Sequence, residues 1–191
     1  MLEISGQYFD LLEEAKKQGL SFEEFRGKLN DIVSDNFIDQ SGLEQFYKGG
    51  NDLSDLYLFH YEKGSFEART NVLEQTPDRI VVKTMWFANE LNSGYYEIST
   101  LVKYDDSWLL DSKVTEETDE KGFQLTIEEA TTYMKHFPYY EKPVTTIKYV
   151  GNKAVENSTE YGQFYEFNCD GTAYYISPVD GYILGANMER F

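Results

Sequence analysis

The residues able to do chemistry are few, and their spacing argues against most chemistries. The two histidines, His60 and His136, stand far apart. Neither has a second histidine or a carboxylate at the interval that puts two ligands on one helix face, as in H-E-x-x-H. Cys169 is the only cysteine, so no intramolecular disulfide and no cysteine-based zinc site can form within the chain. It sits in Asn168-Cys169-Asp170-Gly171, a hairpin-forming sequence, and reads as a structural thiol. No G-x-S-x-G, P-loop or G-x-G-x-x-G occurs. Carboxylates are abundant, but with 34 acids chance pairs are expected and no spacing singles one out. The dense set Asp105, Asp106, Asp111, Glu116, Glu117, Asp119 and Glu120 lacks the alternating ligands and glycine of an EF-hand loop. The expectation is therefore a non-catalytic chain with no cofactor and no metal ligand.

Aromatic residues are the remaining signal. Phe46 and Tyr47 precede Gly49-Gly50, and Tyr57, Phe59, Trp86, Tyr95 and Tyr96 fall on neighbouring strand-like segments. Such residues either build the faces of a sheet or line a cleft or partner surface, where Tyr and Trp offer apolar and polar contacts together. The candidate partner surface is Phe46, Tyr47, Tyr57, Phe59, Trp86, Tyr95 and Tyr96, with Asp105 and Asp106 as its charged members.

Charge narrows the class of partner. The net charge of −17 removes the phosphate-neutralising surface on which nucleic-acid binding depends. An anionic membrane surface is disfavoured for the same reason. Residues 1–120 carry 25 acids and 11 bases, against 9 and 6 in residues 121–191, which suggests two units, or an acidic face used for basic protein partners. No apolar run reaches the roughly 18–20 residues that span a bilayer. Met1-Leu2-Glu3-Ile4 enters an amphipathic pattern at once, so a signal peptide or lipid anchor would lie upstream of this sequence.

The elements that must position these residues follow from periodicity. Ile4, Tyr8, Leu11, Leu12 and Ala15 predict a first helix, stopped at Gly19. Ser21-Phe22-Glu23-Glu24 is a capping box opening a second, with Phe22, Phe25, Leu29, Ile32 and Val33 as its stripe. A third helix is expected between Phe37 and Tyr47. The period then shortens to two. Strands are expected at Leu56–Tyr61, Phe66–Glu74, Arg79–Ala88, Tyr95–Tyr104 and Trp108–Val114, the last with Trp108, Leu110 and Val114 buried. Thr126-Ile127-Glu128-Glu129 is a second capping box, opening a helix through Ala130, Tyr133, Met134 and Phe137. Strands follow at Val144–Val150, Gln163–Cys169, Thr172–Ser177 and Tyr182–Leu184. Helices first and a run of strands after predict an α+β fold: N-terminal helices on a curved antiparallel sheet over residues 1–115, a polar linker at 116–122, and a smaller helix-plus-antiparallel-strands unit over 123–191.

This last unit resembles the PepSY family. Glu128, Glu129 and Ala130 match the family's s-x-e-e-A helix opening. Tyr174, Tyr175, Pro178, Gly181 and Ile183 match its terminal segment, with Ser177 in place of the usual Asp. The resemblance covers about residues 123–186. It implies an extracytoplasmic, non-catalytic module associated with inhibiting or chaperoning peptidases. The first 115 residues are more loosely similar to NTF2-like or cystatin-like layouts, and LVKYDDSWLLDSKV is similar to the final hairpin of NTF2-like envelope lipoproteins. A Gram-positive DL-endopeptidase inhibitor would share the size and layout. The expected function is that of an extracellular or envelope-anchored bacterial protein that binds a partner such as a peptidase or cell-wall hydrolase. The alternatives are a cytoplasmic location, and an NTF2-like domain that binds or converts a small molecule in a pocket between sheet and helices.

Overall fold

A computed structural model describes residues 1–49, 61–89, 92–137, 144–156 and 161–188. The expected strand at 56–61, with His60, Tyr57 and Phe59, lies outside them except for Tyr61. The fold is α+β, with two antiparallel four-stranded sheets, ordered β1-β2-β3-β4 and β5-β6-β7-β8. Contacts divide the chain into two compact units. Unit 1 comprises Met1–Tyr61, Asn71–Lys83 and Ile98–Val114; unit 2 comprises Glu62–Thr70, Thr84–Glu97 and Thr115–Phe191. Counted this way the charge asymmetry vanishes. Unit 1 carries 17 acids and 9 bases, unit 2 carries 17 and 8.

In unit 1, α1 (Leu2–Gln18) buries Ile4, Tyr8, Leu12 and Ala15, one per turn, and ends at Gly19. The Ser21–Glu24 capping box opens α2 (Phe22–Leu29) as its sequence requires. The single third helix of the sequence pattern is instead two short ones, α3 (Asp35–Gln40) and α4 (Leu43–Lys48), separated at Ser41-Gly42. Tyr8, Phe25, Leu29, Val33 and Leu43 share a core with Leu101 of β3 (Tyr95–Tyr104) and Leu110 of β4 (Ser107–Glu117). Leu110 is fully buried and Trp108 packs beside it, but Val114 is 57% exposed, contrary to the expected buried set. Strand β4 also runs through Glu117, so the start of the expected linker is strand rather than loop.

In unit 2, Glu62-Lys63-Gly64-Ser65 does not turn a hairpin. It opens helix α5 (Lys63–Ala68), and the strand begins only at β1 (Thr70–Gln75). The reason is tertiary. Gly64 lets α5 approach α6 (Ile127–Lys135) so closely that a β-carbon there would touch Tyr133 and His136. Strand β2 (Arg79–Trp86) is buried at Val81, Val82, Met85 and Trp86, as a central strand should be. The second capping box is present at Thr126 and Glu129. Strand β5 (Ile147–Glu156) continues beyond Val150, which is itself the extra residue at a register shift between Tyr149 and Gly151, and pairs with β6 (Tyr161–Cys169). Asp170 and Gly171, both at positive φ, make the tight turn into β7 (Thr172–Ile176), and β8 (Ile183–Leu184) closes the sheet. Met85, Phe87, Phe123, Tyr133, Met134, Phe167 and Ile176 form the core of this unit. Among the described residues no helix is long and apolar enough to cross a membrane.

Candidate functional site

The β3–β4 hairpin of unit 1 carries the site. Strand β4 gains a short parallel neighbour from the residues between α2 and α3. The Leu110 amide donates to Ile32 O at 3.0 Å, and the Ser34 amide donates to Leu110 O at 3.0 Å. Side chains reinforce the junction. Ser34 Oγ donates to Asp111 Oδ1 at 2.6 Å and accepts the Phe37 amide at 3.1 Å, so one hydroxyl caps α3 and anchors it to β4. Asn36 Nδ2 adds bonds to Asp111 O and Oδ2 at 3.2 and 3.3 Å.

This junction leaves a groove of about 270 Å³ between the start of α3 and the hairpin. Its apolar lining is Val33, Val102 and Leu109, with Tyr104 beside them, 69% exposed. Its polar lining is Asn30, Ser34, Asp35 and Lys103. Asp105 and Asp106, both exposed, follow Tyr104 at the hairpin tip, and exposed Asp31 follows Asn30. Arg26 donates to Asp35 at 2.7 Å and Asp39 at 3.0 Å, and its pKa is raised chiefly by the bond to Asp35. An apolar floor with exposed acids at the neighbouring chain positions has the chemistry to take an apolar side chain flanked by basic ones.

Comparison of the chain with family models, with characterised proteins and with solved structures gives no match. The site thus rests on its own geometry.

Of the nine residues expected at a partner surface, seven lie among the described residues. Asp105 and Asp106 stand at the groove's hairpin. Phe46 packs against the unit 1 core, and Tyr47 stacks on Phe25 at 5.2 Å while its hydroxyl donates to Leu20 O at 2.7 Å. Both serve the helical core. Trp86, Tyr95 and Tyr96 belong to unit 2. Trp86 is buried and stacked on Tyr95, with ring centroids 6.0 Å apart and planes at 9°. Tyr96 lies edge-on to Phe123 at 5.1 Å, and its hydroxyl accepts a bond from Arg69 Nη1 at 3.3 Å. Tyr57 and Phe59 lie outside the described residues. His136 caps the end of α6 with Nε2 2.8 Å from Glu67 Oε2, and Cys169 is buried in the unit 2 core.

Sequence reasoning missed the groove's α-side wall, Asn30, Val33, Ser34 and Asp35. Val33 carries the helical stripe of α2 and so reads as ordinary core. Only Ser34, with its cap-and-anchor role, left a signal: a Ser followed by Asp35 and Phe37 is an N-cap pattern.

Proposed function

We propose that this chain is a non-catalytic, extracytoplasmic bacterial protein that binds and inhibits a basic partner protein, of the kind that peptidases and cell-wall hydrolases represent. The groove of unit 1 is its docking site. The observation that carries this reading is the apolar groove beneath the β3–β4 hairpin, lined by Val33, Val102, Tyr104 and Leu109 with Asp35 and Lys103, and followed in the chain by the exposed acids Asp31, Asp105 and Asp106. Its occupant is a surface segment of the partner bearing one apolar side chain between Lys or Arg residues. The apolar side chain supplies the desolvated anchor, and the charges supply encounter rate and register. The net charge of −17 supports the same polarity, and the PepSY-like and NTF2-like resemblances support the compartment and the class of partner.

The test is an NMR titration of the full chain with a synthetic peptide in which leucine is flanked by lysines and arginines, followed by capture of basic wall hydrolases. Shifts should concentrate at Val33, Val102, Tyr104 and Leu109 and should weaken as salt rises. Reversing the tip with Asp105→Lys and Asp106→Lys should slow association by roughly tenfold while leaving the fold intact, because both side chains are exposed. Shifts scattered over the surface, or an interaction indifferent to salt and to the tip charges, would overturn the assignment.

A further inference from the structure

A second cavity lies wholly within unit 2 and has a different chemistry. Its volume is about 390 Å³, within the range of small-ligand sites. One wall is the turn Asn92-Ser93-Gly94 and the first residue of β3, Tyr95; the other is Thr115, Glu117 and Thr118 at the end of β4. The turn is fixed by the Asn92 amide, which donates to Asn89 Oδ1 at 3.1 Å, and by the Asn89 amide, which donates to Asn92 O at 2.9 Å. Gly94 packs so tightly that a β-carbon would meet Asp180 O and the Phe123 ring. Tyr95 is held from behind by the parallel indole of Trp86. The walls are therefore set before any ligand arrives, which lowers the ordering cost of binding.

The donor and acceptor inventory selects the ligand. Among the described lining residues, a carboxamide, three aliphatic hydroxyls and a phenol each donate and accept, and one carboxylate accepts only. Burial, with the Glu97 and Glu62 carboxylates nearby, raises the Tyr95 hydroxyl to about 12, so it keeps its proton at physiological pH. Among the described residues lining the cavity there is no Lys, Arg or His, so a phosphate or carboxylate ligand would find no counter-charge. Among the described residues lining the cavity there is also no aliphatic side chain large enough to serve a lipid tail. What remains is a compact molecule with many hydroxyls and one less polar face.

We propose that this cavity binds a neutral saccharide, its ring seated on Tyr95 and its hydroxyls shared among Asn92, Ser93, Thr115 and Thr118, with Glu117 accepting from a pair of adjacent hydroxyls. The site is independent of the groove in unit 1, and nothing in it depends on a protein partner.

The experiment is calorimetry and tryptophan fluorescence on the full chain, with glucose, N-acetylglucosamine, maltose and cellobiose as saccharide probes and cadaverine as a cationic control. Trp86 reports the site because it stacks on Tyr95, whereas Trp108 is half-buried against the core of unit 1. At least one saccharide should bind saturably, with a Kd on the order of 1 mM or tighter. Glu117→Gln and Asn92→Ala, both at exposed positions, should each weaken binding by about tenfold. The double reversal at Asp105 and Asp106 should leave saccharide binding unchanged, which separates this result from the fate of the groove. Saccharide binding that survives Glu117→Gln and Asn92→Ala, binding of cadaverine in preference to the sugars, or no response to any saccharide would each overturn the proposal.

Discussion

Arg69 grips Glu129 at two points, Nε donating to Oε1 at 2.6 Å and Nη2 to Oε2 at 2.7 Å. The same guanidinium donates through Nη1 to Phe123 O at 3.0 Å and to the Tyr96 hydroxyl at 3.3 Å. Glu129 in turn accepts the Thr126 amide at 2.9 Å and completes the cap of α6. One side chain thus joins the end of α5, the approach to α6 and the start of β3 within unit 2. Both partners are only about one-fifth exposed, at 22% and 19%. Arg69→Ala should therefore cost about 2–3 kcal/mol, between the values of exposed and buried pairs. Arg69→Lys should recover only part of this, because an ammonium cannot reproduce the two-point fork. Chemical denaturation checks both; equal stability of the Lys variant and the parent would show that the fork geometry contributes nothing.

The same pair predicts an acid limb. The bond from Arg69 holds the Glu129 carboxyl below its ordinary value of 4.5, and its burial opposes this only in part. The unfolded chain takes up that proton first as pH falls. The stabilisation is therefore complete above about 4.5 and is lost as pH drops through the lower value of the folded state. Melting temperature plotted against pH should fall less steeply below this point in Glu129→Gln than in the parent. Parallel acid limbs in the two proteins would remove Glu129 from the explanation.

Local chemistry was legible in the sequence, and tertiary choice was not. Both capping boxes and the Asp170-Gly171 turn follow from a few adjacent residues, whose hydrogen bonds close within the motif itself. Residues 62–68 went the other way, because close packing of Gly64 on α6 favours helix where period and turn residues suggest a hairpin. The division into units was hidden for a related reason. Each unit is assembled from three separate stretches, and no run of charge or linker composition records which halves of β2, β3 and β4 share a core. Of the candidate site, Asp105 and Asp106 were visible as a hairpin tip. The groove itself depends on the meeting of Val33 with Leu110, 77 positions apart in the chain, and periodicity carries no information about such a pair.

Gly181 is required by packing as well as by backbone geometry. Its φ is +78°, and a β-carbon there would overlap the ring of Phe87, itself buried against Tyr133 and Phe123. Gly171, at φ +94°, has open space around the same position. Gly171→Ala should thus cost about 1 kcal/mol of backbone strain alone. Gly181→Ala should cost about 3 kcal/mol or more, because overpacking adds to that strain. Comparing the two by thermal and urea unfolding isolates the packing contribution. Similar losses would mean that Phe87 moves aside without cost.

Tyr95 should leave a signature at the opposite end of the pH scale. Burial, joined by the Glu97 and Glu62 carboxylates that disfavour a second negative charge nearby, raises its hydroxyl to about 12. In the unfolded chain the same hydroxyl ionises near its ordinary value of 10.0. Between these two values the folded protein keeps a proton that the unfolded chain has lost. Stability must then decline as pH rises through that window, and it is undiminished below it. Tyr95→Phe keeps the ring stacked on Trp86 but has no proton to lose, so its alkaline decline should be shallower than the parent's. Tyrosinate absorbance should show the same event directly, as one late-titrating phenol present in the parent and absent from the variant. If every tyrosine of the parent titrates by about pH 10.5, the negative surroundings of Tyr95 are not as described.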